Sequence, residues 1–236
     1  MPRLHRGPTR ARPLSHPLEI VVATGNRHKL RELAELLHVS GIRWRSLAEF
    51  PEVPPVRETG STLRANAILK AKAVARATHR VALADDSGLC VDALGGAPGV
   101  RSARYAGRHG DDDANNLKLL DALHGVPASR RRASYRCVLA LAGPRRLLAV
   151  TEGVWAGSIA RAPRGGQGFG YDPLFCIRRY GQTVGELRPS IKRRLSHRAR
   201  AARAIRPALR RLLVATERRA ADSSRRGSSV AAPGRG

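Results

Sequence analysis

Two adjacent carboxylates, Asp85-Asp86, follow the short apolar run at residues 81–84 and precede Ser87-Gly88. Neighbouring carboxylates repel each other, so such a pair persists where a cation or several donors offset its charge. A solvated turn held by Asx-type hydrogen bonds is the plainer alternative. Glu58, in Glu58-Thr59-Gly60, is a candidate for a further oxygen ligand. Magnesium suits so few carboxylates, because it keeps water and substrate phosphate among its ligands. Thr24-Gly25-Asn26 stands where a strand meets a helix, and unpaired N–H groups at a helix N-terminus favour a phosphate. Arg27, His28 and Lys29 follow directly. This is no Walker A loop, since the long glycine-rich spacer and the Lys-Ser/Thr pair are missing, and helix capping alone also explains it.

Gly168-Phe169-Gly170-Tyr171-Asp172-Pro173 puts two aromatic rings and a carboxylate in a glycine-rich loop. Phe169 offers a face for a base and Asp172 an acceptor for ring N–H groups; the alternative is a loop plugging its aromatics into the core. Ser196-His197-Arg198 supplies a titratable imidazole and a guanidinium fork, with Lys192 shortly before it, or else is merely a basic helix surface. Asn66 and Lys70 lie four apart, on one side of a predicted helix.

These residues need a scaffold. Residues 20–23 read as a buried strand, and Asn26 opens a helix with Leu30, Leu33, Leu36 and Leu37 on one face. Ser61 or Thr62 caps a helix running to about His79, with Leu63, Ala67, Ala71, Val74 and Ala75 inward. A strand is expected over 81–84, ending at the acidic pair, with extended structure resuming over 89–94 after a Ser87-Gly88 turn. Residues 111–124 read as a helix with aspartates at its positive end. Residues 133–142 and 146–155, joined at Gly143-Pro144, read as an antiparallel hairpin. A final helix starts near Pro189 and runs past His197, with Pro207 kinking or interrupting it. The alternation implies an α/β fold: a single domain with a central mixed, twisted sheet flanked by helices.

Composition bounds the rest. With 236 residues, 42% of them hydrophobic, the chain can bury one substantial core. No apolar run approaches the roughly 18 residues a membrane span needs, so a soluble, cytoplasmic protein without a membrane partner is expected. Three scattered cysteines, Cys90, Cys137 and Cys176, suggest buried free thiols rather than a disulfide framework. The net charge of +26 is almost all arginine and fits nucleic acid, an anionic surface or anionic small substrates. Biased codon usage explains it equally, and no aromatic residues interleave the basic clusters to stack single strands. Residues 1–18, with four prolines, and the Arg/Ser/Gly/Ala-rich residues 215–236 read as disordered extensions around a folded unit at 19–214.

Taken together, VVATGNRHKLREL, ETGSTLRANAILKAKA, ALADDSGLCVDALGGAPGVRSARYAG, GGQGFGYDPLF and LSHRARA resemble, in that order, the inosine and xanthosine triphosphate pyrophosphatases. The resemblance implies that residues 24–29 hold a triphosphate and that Asp86 is the catalytic acid and metal ligand, with Glu58 in the metal shell. It makes Ser87, Phe169, Gly170, Tyr171, Asp172, Lys192, His197 and Arg198 substrate contacts, and Asn66 and Lys70 phosphate-side helpers. The implied reaction is magnesium-dependent attack of water on the α-phosphorus, releasing pyrophosphate, by a homodimer. Asp86 would hold the metal or the water, and Glu58 or Asp85 could partner the water instead. His28 stands where the family usually has a small residue, which places a bulky ring beside the phosphates. A related pyrophosphatase for pyrimidine triphosphates and a nucleic-acid-binding protein are the competing readings.

Overall fold

The structure, a computed structural model, describes residues 17–228, with Arg27 and residues 223–228 as backbone only. Most of the expected leader and residues 229–236 of the expected tail therefore lie outside the described residues. Seven strands form one sheet in the order β2-β1-β3-β4-β5-β6-β7. β1 (Leu18–Val22) runs parallel to β2 (Ile42–Ser46) and to β3 (Val81–Val91). The remaining pairings, through β4 (Arg132–Ala142), β5 (Leu147–Ile159), β6 (Phe175–Ile177) and β7 (Gln182–Thr183), are antiparallel. The sheet is mixed, as expected.

Side-chain alternation along β3 sends Leu83, Leu89 and Val91 to one face and Ala82 and Ala84 to the other. The first face carries α1 (Arg27–Leu36) and α5 (His197–Ser228), whose Leu33, Leu37, Ala201, Ala202, Ile205 and Leu209 pack on Leu83, Leu139 and Leu141. The second carries α2 (Leu63–Thr78), capped by the Thr62 side chain at Ala65 N–H, with Ala67, Ala71, Val74 and Ala75 inward. α3 (Asp112–Ala122) closes the far end of the first face, its Leu119 packing with Leu89, Trp155 and Phe175. The helix bounds at α2 and α3 and the β4-β5 hairpin match the sequence reading.

The path of β3 and the C-terminal helical region differ from the sequence reading. β3 does not stop at the acidic pair: it runs unbroken through Ser87-Gly88, because β4 pairs with it along its length, Asp85 opposite Leu139 and Gly88 opposite Arg136. Gly88 serves close approach rather than a turn, since a Cβ there would overlap the Gly99 carbonyl of the short turn Gly99–Arg104. The last helix is two. α4 (Pro189–Leu195) ends at Ser196, whose extended backbone and Oγ, accepting from Ala199 N–H, start α5 afresh at His197. α5 then continues through Pro207 to Ser228, so residues 215–228 are helical rather than an irregular tail. An internal proline costs a helix about 3 kcal/mol; exposed Pro207 is flanked by Ile205, Ala208, Leu209 and Leu212, which pack into the core.

Candidate active site

Because β3 is continuous, Asp85 and Asp86 point to opposite faces of the sheet. Each meets its own cations, which removes the mutual repulsion that adjacency suggested.

On the α1/α5 face, Asp85 is 1% exposed and all its lone-pair directions are taken up by the protein. Its Oδ1 receives Lys29 Nζ at 2.9 Å and Ser87 Oγ at 2.7 Å. Its Oδ2 accepts from Arg198 Nε at 2.9 Å and from Cys137 Sγ at 3.2 Å. Burial raises the pKa of this carboxyl, but Arg198 and Lys29 outweigh it and hold it well below the aspartate range. Arg198, itself buried, also bonds Ser87 Oγ at 3.2 Å and Glu32 through Nη1. Glu32 in turn receives Lys192 Nζ at 2.8 Å, and Lys192 reaches Asp172 Oδ2 at 2.7 Å. Charges thus alternate from Lys29 through Asp85, Arg198, Glu32 and Lys192 to Asp172. Gly153 makes this possible on β5: any Cβ would overlap the His197 carbonyl, so its absence lets the first turn of α5 sit down on the sheet.

The glycine-rich loop closes over this network. Phe169 N–H donates to Asp172 Oδ2 at 3.0 Å, and Tyr135 Oη to its Oδ1 at 3.2 Å. Tyr171 Oη donates to the Ser102 carbonyl, and Gly170 is held by Asp112 through its N–H and by Asn116 through its carbonyl. Burial raises Asp172's pKa against the pull of Lys192. His197 stacks on Tyr135 with centroids 4.7 Å apart, and its buried Nδ1 has no hydrogen-bond partner. Burial, then Arg198 beside it, pushes its pKa well down, so the imidazole is neutral. A cavity of about 100 Å³ lies here, lined among others by Asn26, Lys29, Ser87, Phe169, Gly170, Tyr171, Asp172, Lys192, His197 and Arg198. At its rim Asn26 caps α1, its Oδ1 accepting from His28 and Lys29 N–H at 2.9 and 3.1 Å, while Thr24 Oγ1 accepts from Asn26 N–H.

On the α2 face, Lys70 Nζ lies 2.8 Å from both Glu58 Oε1 and Asp86 Oδ1. Arg104 approaches Glu58 Oε2 at 3.4 Å. Asp86 Oδ2 is buried and has no hydrogen-bond partner. Burial, against Lys70, raises the Asp86 pKa; Glu58 is lowered by Lys70 and Arg104 despite its own burial. Among the described residues no cluster of three or more His, Cys, Asp or Glu side chains could hold a metal ion. Two hard carboxylates with one orphaned oxygen still fit an ion such as magnesium that draws its other ligands from water and phosphate. Lys29 links the two faces, since its charge is felt at Glu58 and Asp86 as well as at Asp85.

The sequence-predicted residues are therefore divided. Asn66 holds Gly60 N–H with its Oδ1 at 2.7 Å and so pins the turn carrying Glu58, leaving its buried Nδ2 without a partner. Gly25 and Thr24 form the turn before α1, and the Arg27 side chain lies outside the described residues. His28 stands away from the cavity, its ring stacked on Phe169 at 5.0 Å. Sequence reasoning missed Glu32, Arg104, Tyr135 and Cys137. Glu32 carried a signal, one turn beyond Lys29 on the same helix; the others become visible only once the sheet is assembled. Cys137 is buried as expected, whereas Cys90 and Cys176 are half-buried, and all three are free thiols.

Residues 20–208 match the Ham1 family. The chain belongs to the Ham1 family. Among similar proteins, one named dITP/XTP pyrophosphatase from Geobacillus kaustophilus is 53% identical over 183 residues, covering 78% of this chain and 90% of the relative. Another of that name from Desulforamulus reducens is 49% identical over 200 residues, 85% of this chain and 100% of the relative. A HAM1 protein from Coxiella burnetii has a solved structure that superposes with a TM-score of 0.76 at 45% identity, covering 82% of this chain and 99% of that one. The Ham1 match spans both faces of β3 and the first turns of α5, and so includes every part of the site.

Proposed function

We propose that this chain hydrolyses the triphosphates of deaminated purines, dITP, ITP and XTP, to the monophosphate and pyrophosphate. The observation that carries the reading is the join at Lys29: an aromatic-lined cavity on one side of β3 and an under-coordinated carboxylate on the other. The naming of the relatives as dITP/XTP pyrophosphatases supports the substrate class. The base lies in the cavity against Phe169, and the phosphates lie over the α1 N-terminus, where Lys29 and the Asn26 turn bind them.

Asp86 and Glu58 would hold a magnesium ion, which when bound neutralises phosphate oxygens and orients the α-phosphorus for in-line attack. Lys70 balances the same carboxylates and steadies their positions. Of the three acids that sequence left as partners for the water, Asp85 is unavailable because both its oxygens are taken, and Glu58 faces Lys70 and Arg104. Asp86 Oδ2 remains. Base choice follows from donors: Lys192 and Arg198 accept nothing, so they favour a 6-oxo edge and leave the 6-amino group of adenine facing donors. The resemblance also carries a homodimer, which light scattering of the purified chain checks.

The test is a panel of ITP, dITP, XTP, GTP, ATP and UTP with magnesium, identifying the products. The expected result is a kcat/KM for the deaminated purines at least about a hundredfold above ATP, lost on chelation and restored by magnesium. A flat profile overturns the substrate assignment, and preference for UTP selects the pyrimidine alternative.

A further inference from the structure

We infer that His28 is a positioning residue for the base, acting through Phe169, rather than a neighbour of the phosphates. The inference rests on the functional reading above and assigns a role on the base side to a residue that sequence placed on the other. Three observations carry it. The His28 ring lies at 5.0 Å from Phe169 and 23° from parallel, in the range of a stacked aromatic pair. Phe169 lines two cavities, as Lys192 does: the smaller, which holds Ser87, Asp172 and His197, excludes His28, whereas the larger, of about 280 Å³, is lined by both His28 and Phe169. His28 also belongs to the first turn of α1, whose start is fixed by the Asn26 side chain accepting from the His28 N–H itself.

Phe169 lies between Gly168 and Gly170, both at positive φ, and its backbone is held by Asp172 at its own N–H and by Asp112 and Asn116 at Gly170, so what stands against the ring faces is left to side chains. Lys192 Nζ stands 4.5 Å from the ring centroid, a cation–π contact that holds it electrostatically. His28 adds a flat backing surface, and that surface is rigidly attached to the phosphate-binding turn. The platform for the base and the N–H groups for the phosphates are thereby set at a fixed separation. Stacking, rather than charge, is what His28 supplies.

The experiment compares the wild type with His28→Ala, His28→Phe and His28→Leu, measuring KM and kcat for dITP and inhibition by inorganic triphosphate, a probe with phosphates and no base. His28→Ala is expected to raise KM for dITP about threefold to tenfold, the size of one aromatic pair, with a smaller change in kcat. His28→Phe restores KM and His28→Leu does not, while inhibition by inorganic triphosphate shifts less than about twofold in all three. An unchanged or lowered KM in His28→Ala overturns the inference, the latter meaning that His28 occupies the base's place. Equal weakening of inorganic triphosphate also overturns it, returning His28 to the phosphates. A wild type inactive on all deaminated purine triphosphates overturns the functional reading and this inference together; an active wild type with an indifferent His28→Ala overturns the inference alone.

Discussion

Asp85 and Asp86 are neighbours in sequence and occupy different physical worlds. On the Asp85 face the carboxylate is enclosed by two cations, a hydroxyl and a thiol. On the Asp86 face a single ammonium, shared with Glu58, leaves one buried oxygen without a partner. The first arrangement is closed and fixes geometry; the second is open and invites a ligand. A strand's two-residue period is what turns the two carboxylates of one dipeptide to opposite faces, and on the proposed function to the two ends of an elongated substrate.

Substitution tests this division most sharply. Asp86→Asn should lower kcat by more than about a thousandfold, beyond the 10–100-fold typical of groups that only support a ligand, while unfolding free energy changes by less than about 1 kcal/mol. Denaturant titration beside the kinetics checks both halves, and an active variant would remove Asp86 from its central place. Asp85→Asn should give the reverse signature. It leaves Arg198 and Lys29 buried against a neutral amide, so stability falls by about 3 kcal/mol, the lower end for a broken buried ion pair. Loss of turnover without loss of stability there would mean that Asp85 works in the chemistry after all.

The smallest effect concerns how dry the Asp85 face is. His197 is neutral because burial lowers its pKa well below the ordinary 6.5. A depressed histidine is protonated in the unfolded chain first, so its stabilising contribution is complete above pH 6.5 and declines as pH falls below that value. Between about pH 6.5 and 5, wild-type stability should drop by up to about 1.4 kcal/mol per pH unit more steeply than that of His197→Asn. Parallel pH profiles in urea would show that water reaches this face.

Much of this was legible beforehand. The order of motifs, the Asn26 and Thr62 caps and the β4-β5 hairpin are local features, and local sequence specifies them. The path of β3 was not: Ser87-Gly88 has the composition of a turn, and only pairing with a strand some fifty residues later overrides it. The division of Asp85 from Asp86 depends on that pairing, so it was hidden with it. Tyr135 and Cys137 belong to the site through tertiary packing alone, and the passage of α5 through Pro207 reflects core contacts that outweigh a local preference.

Gly153 has no side chain and lines no part of the described cavity, yet the height at which α5 rests on the sheet is set there. On the proposed function, base recognition would be hostage to a position with no functional group, and a map of essential residues drawn from activity alone would mistake a spacer for a participant.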